Sequence, residues 1–150
     1  MNNRYLLNAL EAGPLSVARL MEAIGKDKWD GAEPGFFTPR ETVAHLADCE
    51  PMLRARFAAA VQAPGSEVEL FDEEAEAVNK NYAGSDVGQQ LAAWKADREE
   101  TLAFVRSVTD WSGHIIHPEQ GRMGAESVIC TVIGHDLYHI ERLTRLLSDN

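Results

Sequence analysis

Basic residues are scarce in this chain, and their shortage excludes one large class of partners. There are 14 lysines and arginines against 24 aspartates and glutamates, which gives a formal net charge of −10. Proteins that bind nucleic acids neutralise phosphates with lysine and arginine, and proteins that bind anionic membrane surfaces rely on the same residues. We therefore predict neither a nucleic-acid partner nor a membrane partner.

Long apolar runs, targeting signals and several common catalytic motifs are also missing. No stretch approaches the roughly 20 apolar residues of a membrane-spanning helix, and the opening sequence MNNRYLLNALEAG does not resemble a secretory signal. A cytoplasmic location is the expectation. The absence of GxSxG, Walker and GxGxxG motifs leaves serine hydrolases, P-loop proteins and Rossmann enzymes without support.

Cysteine is limited to Cys49 and Cys130, which form no CxxC pair. Both lie in apolar, helix-like surroundings, where a cysteine is typically a small buried hydrophobic residue. We favour this interpretation over a catalytic or metal-binding thiol. A cytoplasmic setting would keep both thiols reduced.

Helical periodicity dominates the rest of the sequence, and nothing reads clearly as a strand. Hydrophobic residues make up 45% of the chain and charged residues 25%, a mixture typical of a globular domain. We predict one all-α domain over residues 1–150, a four-helix bundle with a long connection between its second and third helices. The four predicted bundle helices span residues 3–24, 38–61, 85–108 and 123–147. A short helix over residues 73–79 is predicted within the long connection.

The second helix has a clear start signal in Thr38-Pro39-Arg40-Glu41. Thr38 suits the N-cap, Pro39 suits the first helical position, and Glu41 completes a capping box. Pro51 lies inside this helix and predicts a bend, because proline cannot donate to the carbonyl four residues earlier.

Three histidines carry the strongest chemical signal. His135 and His139 are four residues apart in the last predicted helix, so both imidazoles lie on one side, within its apolar stripe. His45 lies midway along the second predicted helix and is the best third donor, since bundles build metal sites from facing helices. The alternative is that the three are core histidines that bind no metal.

Two segments around these histidines resemble the DinB-like (DinB/YfiT-like) superfamily of metal-binding four-helix bundles. Residues 38–48, TPRETVAHLAD, look like its second-helix motif, and residues 134–140, GHDLYHI, look like its fourth-helix motif. Residues 117–122, HPEQGR, resemble the loop that precedes the last helix in many members. The similarity in layout covers nearly the whole chain, but only the two histidine motifs are specific.

This resemblance implies that His45, His135 and His139 bind a divalent transition metal, usually nickel or zinc, with iron as a further option. It also implies a homodimer. Some relatives are transferases or isomerases that use low-molecular-weight thiols, others look like hydrolases, and many have no known activity.

Other polar residues are weaker candidates. Asp48 and Asp136 could accept an imidazole N–H and orient a ligand, and Glu50 could act as a general base. His117 could line the mouth of the site, and Arg142 could hold an anionic group of a substrate. For each, a surface, capping or packing role is the alternative.

The sequence thus leaves three functions open. The first is a metal-dependent enzyme, either a hydrolase or a low-molecular-weight-thiol S-transferase whose thiol carboxylates would be held by Arg142 and Arg145. The second is a non-catalytic, stress-related bundle that binds a metal or a small ligand. The third is a bundle whose histidines are purely structural.

Overall fold

The computed structural model describes residues 3–147 and confirms the four-helix bundle. Opposite corners of the bundle are occupied by the helices Arg4–Ile24 and Pro39–Gln62. Each of these helices packs against both Val87–Ser107 and Ala125–Arg145. In chain order the helices are α1 (Arg4–Ile24), α2 (Pro39–Gln62), α3 (Glu73–Asn79), α4 (Val87–Ser107) and α5 (Ala125–Arg145). Short 3-10 turns lie at Lys26–Lys28 and Tyr82–Gly84.

A local sequence signal starts α2 as predicted, whereas α5 begins two residues later than predicted because residues 123 and 124 belong to a strand. The Thr38 hydroxyl accepts a hydrogen bond from the backbone N–H of Glu41 at 3.1 Å, and the Glu41 carboxylate accepts one from the N–H of Thr38 at 2.8 Å. This reciprocal capping box, with Pro39 at the first position, starts α2. Asp72 and Asp86 cap α3 and α4 with carboxylates that accept hydrogen bonds from the backbone N–H groups of Ala75 and Gln89.

The expectation that the chain contains no strand is wrong. The connections on either side of α4 contribute a three-stranded sheet in the order β1-β2-β3, formed by β1 (Ser66–Glu67), β2 (His114–His117) and β3 (Gly121–Gly124). β1 pairs parallel with β2, and β2 pairs antiparallel with β3. Strands this short have too few residues to show a period of two, so sequence periodicity could not reveal them.

The sheet fixes the start of α5. β3 ends at Gly124 and α5 begins at the next residue, where the N–H of Ala125 donates to the carbonyl of Gly113 at 2.9 Å. Gly113 packs so tightly against the end of α2 that a Cβ there would lie 1.9 Å from the carbonyl oxygen of Ala60. A glycine at this position therefore allows the sheet to approach the bundle.

The apolar core has two parts. One contains Leu10, Leu53, Leu102 and Val132, and the other contains Val17, Leu46, Trp94 and Leu143. Along α1, α4 and α5 the two sets are separated by a short stretch that carries polar or small residues, and Glu50 of α2 faces these stretches. Those stretches meet in the middle of the bundle, around Gly13, Glu50, Arg98 and Asp136.

The guanidinium of Arg98 connects all four bundle helices. From α4 it donates to Glu50 of α2 at 2.7 Å and to Asp136 of α5 at 2.7 Å. The same Nη1 atom donates to the backbone carbonyl of Leu10 in α1 at 2.6 Å. Arg98 is only 2% exposed, so these ionic hydrogen bonds lie in the interior.

The contact with α1 has a cause in the sequence. Pro14 lies inside α1 and has no N–H, so it cannot donate to the carbonyl of Leu10 four residues earlier. A buried carbonyl without a donor is costly, and Arg98 supplies the missing donor. The helix therefore continues through Pro14 as one element.

The two carboxylates bound by Arg98 differ in their surroundings. Burial alone would raise the pKa of Glu50, but hydrogen bonds from Arg98, Thr101 and Trp94 hold it below its ordinary value. Burial raises the pKa of Asp136 to about 6, against the opposing effect of Arg98. Burial alone would lower the pKa of Arg98, yet the two carboxylates raise it above its ordinary value.

Between residues 3 and 147, none of the helices combines the length and the apolar content needed to cross a membrane.

We predict that Gly13→Ala destabilises the protein by about 1–3 kcal/mol, the usual cost of overpacking a core. A Cβ at Gly13 would lie 2.2 Å from Oδ2 of Asp136 and 3.0 Å from Nη1 of Arg98. Urea unfolding measures the change. The matched control is Gly134→Ala on the exposed side of α5, where a Cβ meets nothing within 4 Å. This control should stabilise by roughly 0.5–1 kcal/mol through helix propensity, and equal effects of the two substitutions would contradict the packing argument.

We also predict that Arg98→Met destabilises by about 3–5 kcal/mol, because it leaves two buried carboxylates without their cation. The control is Arg54→Met, which removes a half-buried arginine that also joins α2 to α4 through Asp97 and Glu100. That change should cost at most about 1 kcal/mol, as for ion pairs near the surface. Comparable losses in the two variants would show that the buried position of Arg98 does not matter.

Candidate metal centre

The three candidate histidines come together between α2 and α5. Nε2 of His45 lies 2.9 Å from Nε2 of His135. The ring of His139 packs against both, with centroid distances of 4.9 Å to His45 and 4.7 Å to His135. One helical turn separates the two histidines of α5, and His45 approaches them from the facing helix. The structure thus brings the three imidazole rings into one cluster.

Aromatic side chains enclose the ring of His45. The ring centroids of Phe37, Phe71 and Tyr82 lie 5.1, 6.5 and 6.3 Å from that of His45. Phe37 precedes the capping box, whereas Phe71 and Tyr82 come from the connection between α2 and α4. His45 is consequently only 1% exposed.

The surroundings keep the imidazoles neutral. Burial, followed by the nearby positive charge of His135, lowers the pKa of His45 to about 4. Burial, followed by Arg98, lowers the pKa of His135 to about 4. Burial and the two other histidines lower that of His139 to about 3. A neutral imidazole has a free lone pair, which is the form that binds a metal.

Cys49 lies beside this cluster, one turn after His45 on α2. The donor atoms of His45, Cys49 and His135 lie within 4.8 Å of one another, a grouping that could hold a metal ion. Sγ is 3.6 Å from Nδ1 of His45 and 3.8 Å from its Nε2, within hydrogen-bonding range for sulfur. Burial, followed by the carboxylates of Asp48 and Glu73, raises the pKa of the Cys49 thiol.

A carboxylate also approaches the histidines. Oε2 of Glu73, the first residue of α3, lies 3.6 Å from Nε2 of His45. Asp48 fastens the other end of α3 to α2, because its carboxylate accepts hydrogen bonds from Nζ of Lys80 at 2.6 Å and from the hydroxyl of Tyr82 at 2.5 Å. Asp48 therefore positions the α3 connection, where the sequence suggested that it might orient an imidazole.

A cavity of about 390 Å³ opens beside the histidines of α5. His135 and His139 line it together with Phe36, Tyr138 and Arg142, and its acidic lining residues are Glu41, Glu73 and Glu74. Its lining therefore carries three carboxylates and one guanidinium. Access to the imidazoles from outside runs through this largely acidic and aromatic space.

Arg142 lies at the cavity, as its place on the histidine stripe suggested, but it already has partners. Its guanidinium stacks 3.5 Å from the ring centroid of Phe36 and lies 3.2 Å from the carboxylate of Glu33. Arg145, the other candidate for holding a thiol carboxylate, pairs with Glu141 on the exposed surface of α5.

The remaining candidates lie apart from the histidine cluster. Both carboxylate oxygens of Glu50 are occupied by hydrogen bonds in the Arg98 cluster, as is the carboxylate of Asp136, so the structure gives these groups a structural role. His117 is buried in β2, where its Nδ1 accepts hydrogen bonds from the backbone N–H groups of Glu119 and Gln120. That geometry stabilises the turn between β2 and β3.

Arg98 and Glu73 were not predicted from the sequence. A signal for Arg98 existed: the apolar stripe of α4 has a gap between Trp94 and Leu102, and Arg98 occupies its centre. Charged residues in such gaps are buried only when they are paired. Glu73 had no comparable signal, because an acidic run in a connection usually lies in solvent.

Comparisons with known proteins agree with this architecture. A family model described as the DinB superfamily matches residues 9–143. The solved structure of YfiT from Bacillus subtilis has a TM-score of 0.87 and 23% sequence identity, covering 95% of this chain and 83% of that chain. That protein is described as a probable metal-dependent hydrolase with an unusual four-helix bundle topology. No match was found among curated proteins.

The lowered histidine pKa values predict that the metal-free protein loses stability as the pH falls. From the ordinary value of 6.5 down to about 4, the unfolded chain binds protons at His45, His135 and His139 that the folded chain does not. Acid therefore favours unfolding, and the contribution of these groups is complete only above pH 6.5. The raised pKa of Asp136 acts in the opposite direction, but it is one group against three.

His139→Gln isolates this effect. Urea unfolding of chelator-treated protein between pH 7 and pH 5 should show a shallower pH dependence in the variant, by up to about 1.4 kcal/mol per pH unit. Cys49→Ala is the control, since its buried thiol stays protonated over this range and the slope should match that of the unmodified chain. If His139→Gln also keeps the full slope, the buried imidazole is not the source of the acid sensitivity.

Proposed function

Because the chain belongs to the DinB superfamily, we propose that it is a metal-dependent hydrolase whose cation is held by His45, His135 and His139. The observation that carries this proposal is the convergence of three neutral imidazoles from two helices beside a cavity. Three histidines are a common donor set for a catalytic zinc-type ion, which keeps a coordination position open for chemistry. When bound, such a cation supplies Lewis acidity and activates water for hydrolysis.

His139 is a better third donor than Cys49. A cysteine binds metals as the thiolate, and burial beside two carboxylates disfavours that form here. His139 is neutral, packs against both other rings and lines the cavity. Nickel, zinc and iron(II) all accept imidazole nitrogen, so the donor set fits each of them.

The charge of the cavity favours hydrolysis over thiol transfer. A transferase that uses a carboxylate-bearing thiol needs cations to hold it. The cavity lining offers Arg142, which is already paired with Glu33, and it contains three glutamates. Neutral or cationic esters and amides fit this acidic lining better than an anionic thiol does.

The histidines, the aromatic side chains and Arg142 would have different roles at this site. The imidazoles hold the cation, and the aromatic rings around His45 keep bulk water from its inner side. Phe36 and Tyr138 offer apolar surface for the body of a substrate at the cavity. Arg142, stacked on Phe36, limits the width of the entrance on the side of α5.

Metal content is the first test. We expect tag-free protein to contain about one equivalent of nickel, zinc or iron by elemental analysis, as a single three-histidine site requires. His139→Ala should lose most of it, whereas Cys49→Ala should retain it. Full metal in His139→Ala together with loss in Cys49→Ala would replace His139 by Cys49 in the donor set.

Turnover is the second test. The metal-loaded protein should hydrolyse neutral and cationic aryl esters or amides faster than anionic ones, and His135→Ala should reduce the rate to background. A thiol-conjugation assay with carboxylate-bearing thiols runs in parallel and should show no turnover. Metal binding without hydrolysis of any substrate would favour the non-catalytic metal-binding bundle, and thiol conjugation alone would favour the transferase.

A further inference from the structure

Among the acidic residues that line the cavity, Glu73 is the one whose carboxylate approaches an imidazole within residues 3–147, and its side chain is 59% exposed. Its Oε2 lies 3.6 Å from Nε2 of His45, which is too long for a hydrogen bond. Within residues 3–147, no group donates a hydrogen bond to this carboxylate. The carboxylate oxygen of Glu73 and Nε2 of His45 are therefore close to each other but form no hydrogen bond.

The separations match those of donors that share one cation. Nitrogen and oxygen donors bind a zinc-type cation at about 2.0–2.2 Å, so two donors on one ion lie roughly 2.9–3.6 Å apart for angles of about 90–120°. Nε2 of His45 is 2.9 Å from Nε2 of His135 and 3.6 Å from Oε2 of Glu73. Both separations lie within that range.

The fold holds Glu73 in this place. The carboxylate of Asp72 caps α3 by accepting a hydrogen bond from the N–H of Ala75 at 3.0 Å. At the other end, Lys80 and Tyr82 bind Asp48, which lies one turn after His45 on α2. The connection that carries Glu73 is thus tied to the helix that carries His45.

The other carboxylates near the cluster are occupied or lie further away. The carboxylate of Glu41 accepts the N–H of Thr38 in the capping box, and that of Asp48 binds Lys80 and Tyr82. Glu74 lines the cavity, but among the described residues neither of its carboxylate oxygens lies within 4.0 Å of an imidazole nitrogen. It is therefore a natural matched control for its neighbour.

We propose that Oε2 of Glu73 is a fourth protein donor to the cation held by His45, His135 and His139. This inference rests on the proposed function only in requiring a cation at the histidines. A carboxylate would reduce the net charge of the loaded site from +2 to +1, and water would bind as a fifth ligand in an expanded coordination shell. It would also add a hard oxygen donor to three nitrogens, a set that suits zinc, nickel and iron(II) better than copper(I).

Titration of the metal-free protein with Co²⁺ tests this proposal, because the visible absorption of Co²⁺ reports the number and type of its donors. Glu73→Gln keeps the size of the side chain but removes its charge. We expect Glu73→Gln to weaken Co²⁺ binding by at least about tenfold in competition with a chelator, and to change the absorption bands. Glu74→Gln should leave both the affinity and the bands as in the unmodified chain.

The outcomes separate this inference from the proposed function. If Glu73→Gln binds Co²⁺ with the same affinity and the same bands, Glu73 is not a donor, while the three-histidine site stands. If the unmodified chain binds no Co²⁺, both proposals fail. Urea unfolding of the metal-free variants checks that they fold, and Glu73→Ala, which should weaken binding at least as much, provides a second variant.

Discussion

The ionic cluster around Arg98 is the contact on which the arrangement of the bundle depends. It lies between two apolar clusters and receives a group from each of the four helices: a carbonyl from α1, carboxylates from α2 and α5, and the guanidinium from α4. Apolar packing alone tolerates small slides of one helix along another. Directional hydrogen bonds in a dry interior do not tolerate such a slide, because it would leave a buried charge without its partner.

The same cluster controls the distance between the candidate metal donors. Asp136 directly follows His135 on α5, and Glu50 lies five residues after His45 on α2. Because Arg98 binds both carboxylates, it fixes the relative height of the two helices that carry the imidazoles. The Arg98 ion cluster and the candidate metal site thus share α2 and α5. The relative positions of the metal donors therefore depend on the ion cluster.

The sequence predicts the local features of this molecule, but it predicts few of the contacts between residues that are far apart in the chain. The Thr38–Glu41 capping box and the short helix at 73–79 follow from residues within one turn, and both were predicted. The convergence of His45 with His135 was suggested by helical spacing together with the family resemblance. The partners of Arg98 are 38 and 48 residues away, and no local pattern pairs them. The strands escaped prediction because two to four residues show no useful periodicity.

β3 and α5 are joined directly, with no loop residues between them. Gly124 ends the strand and caps the helix at once, and the sheet itself is held against the end of α2 at Gly113. One residue added at this junction would rotate the whole of α5 by about 100° about its axis. His135 and His139 would then face away from His45, so the site is incompatible with a change of chain length at this junction.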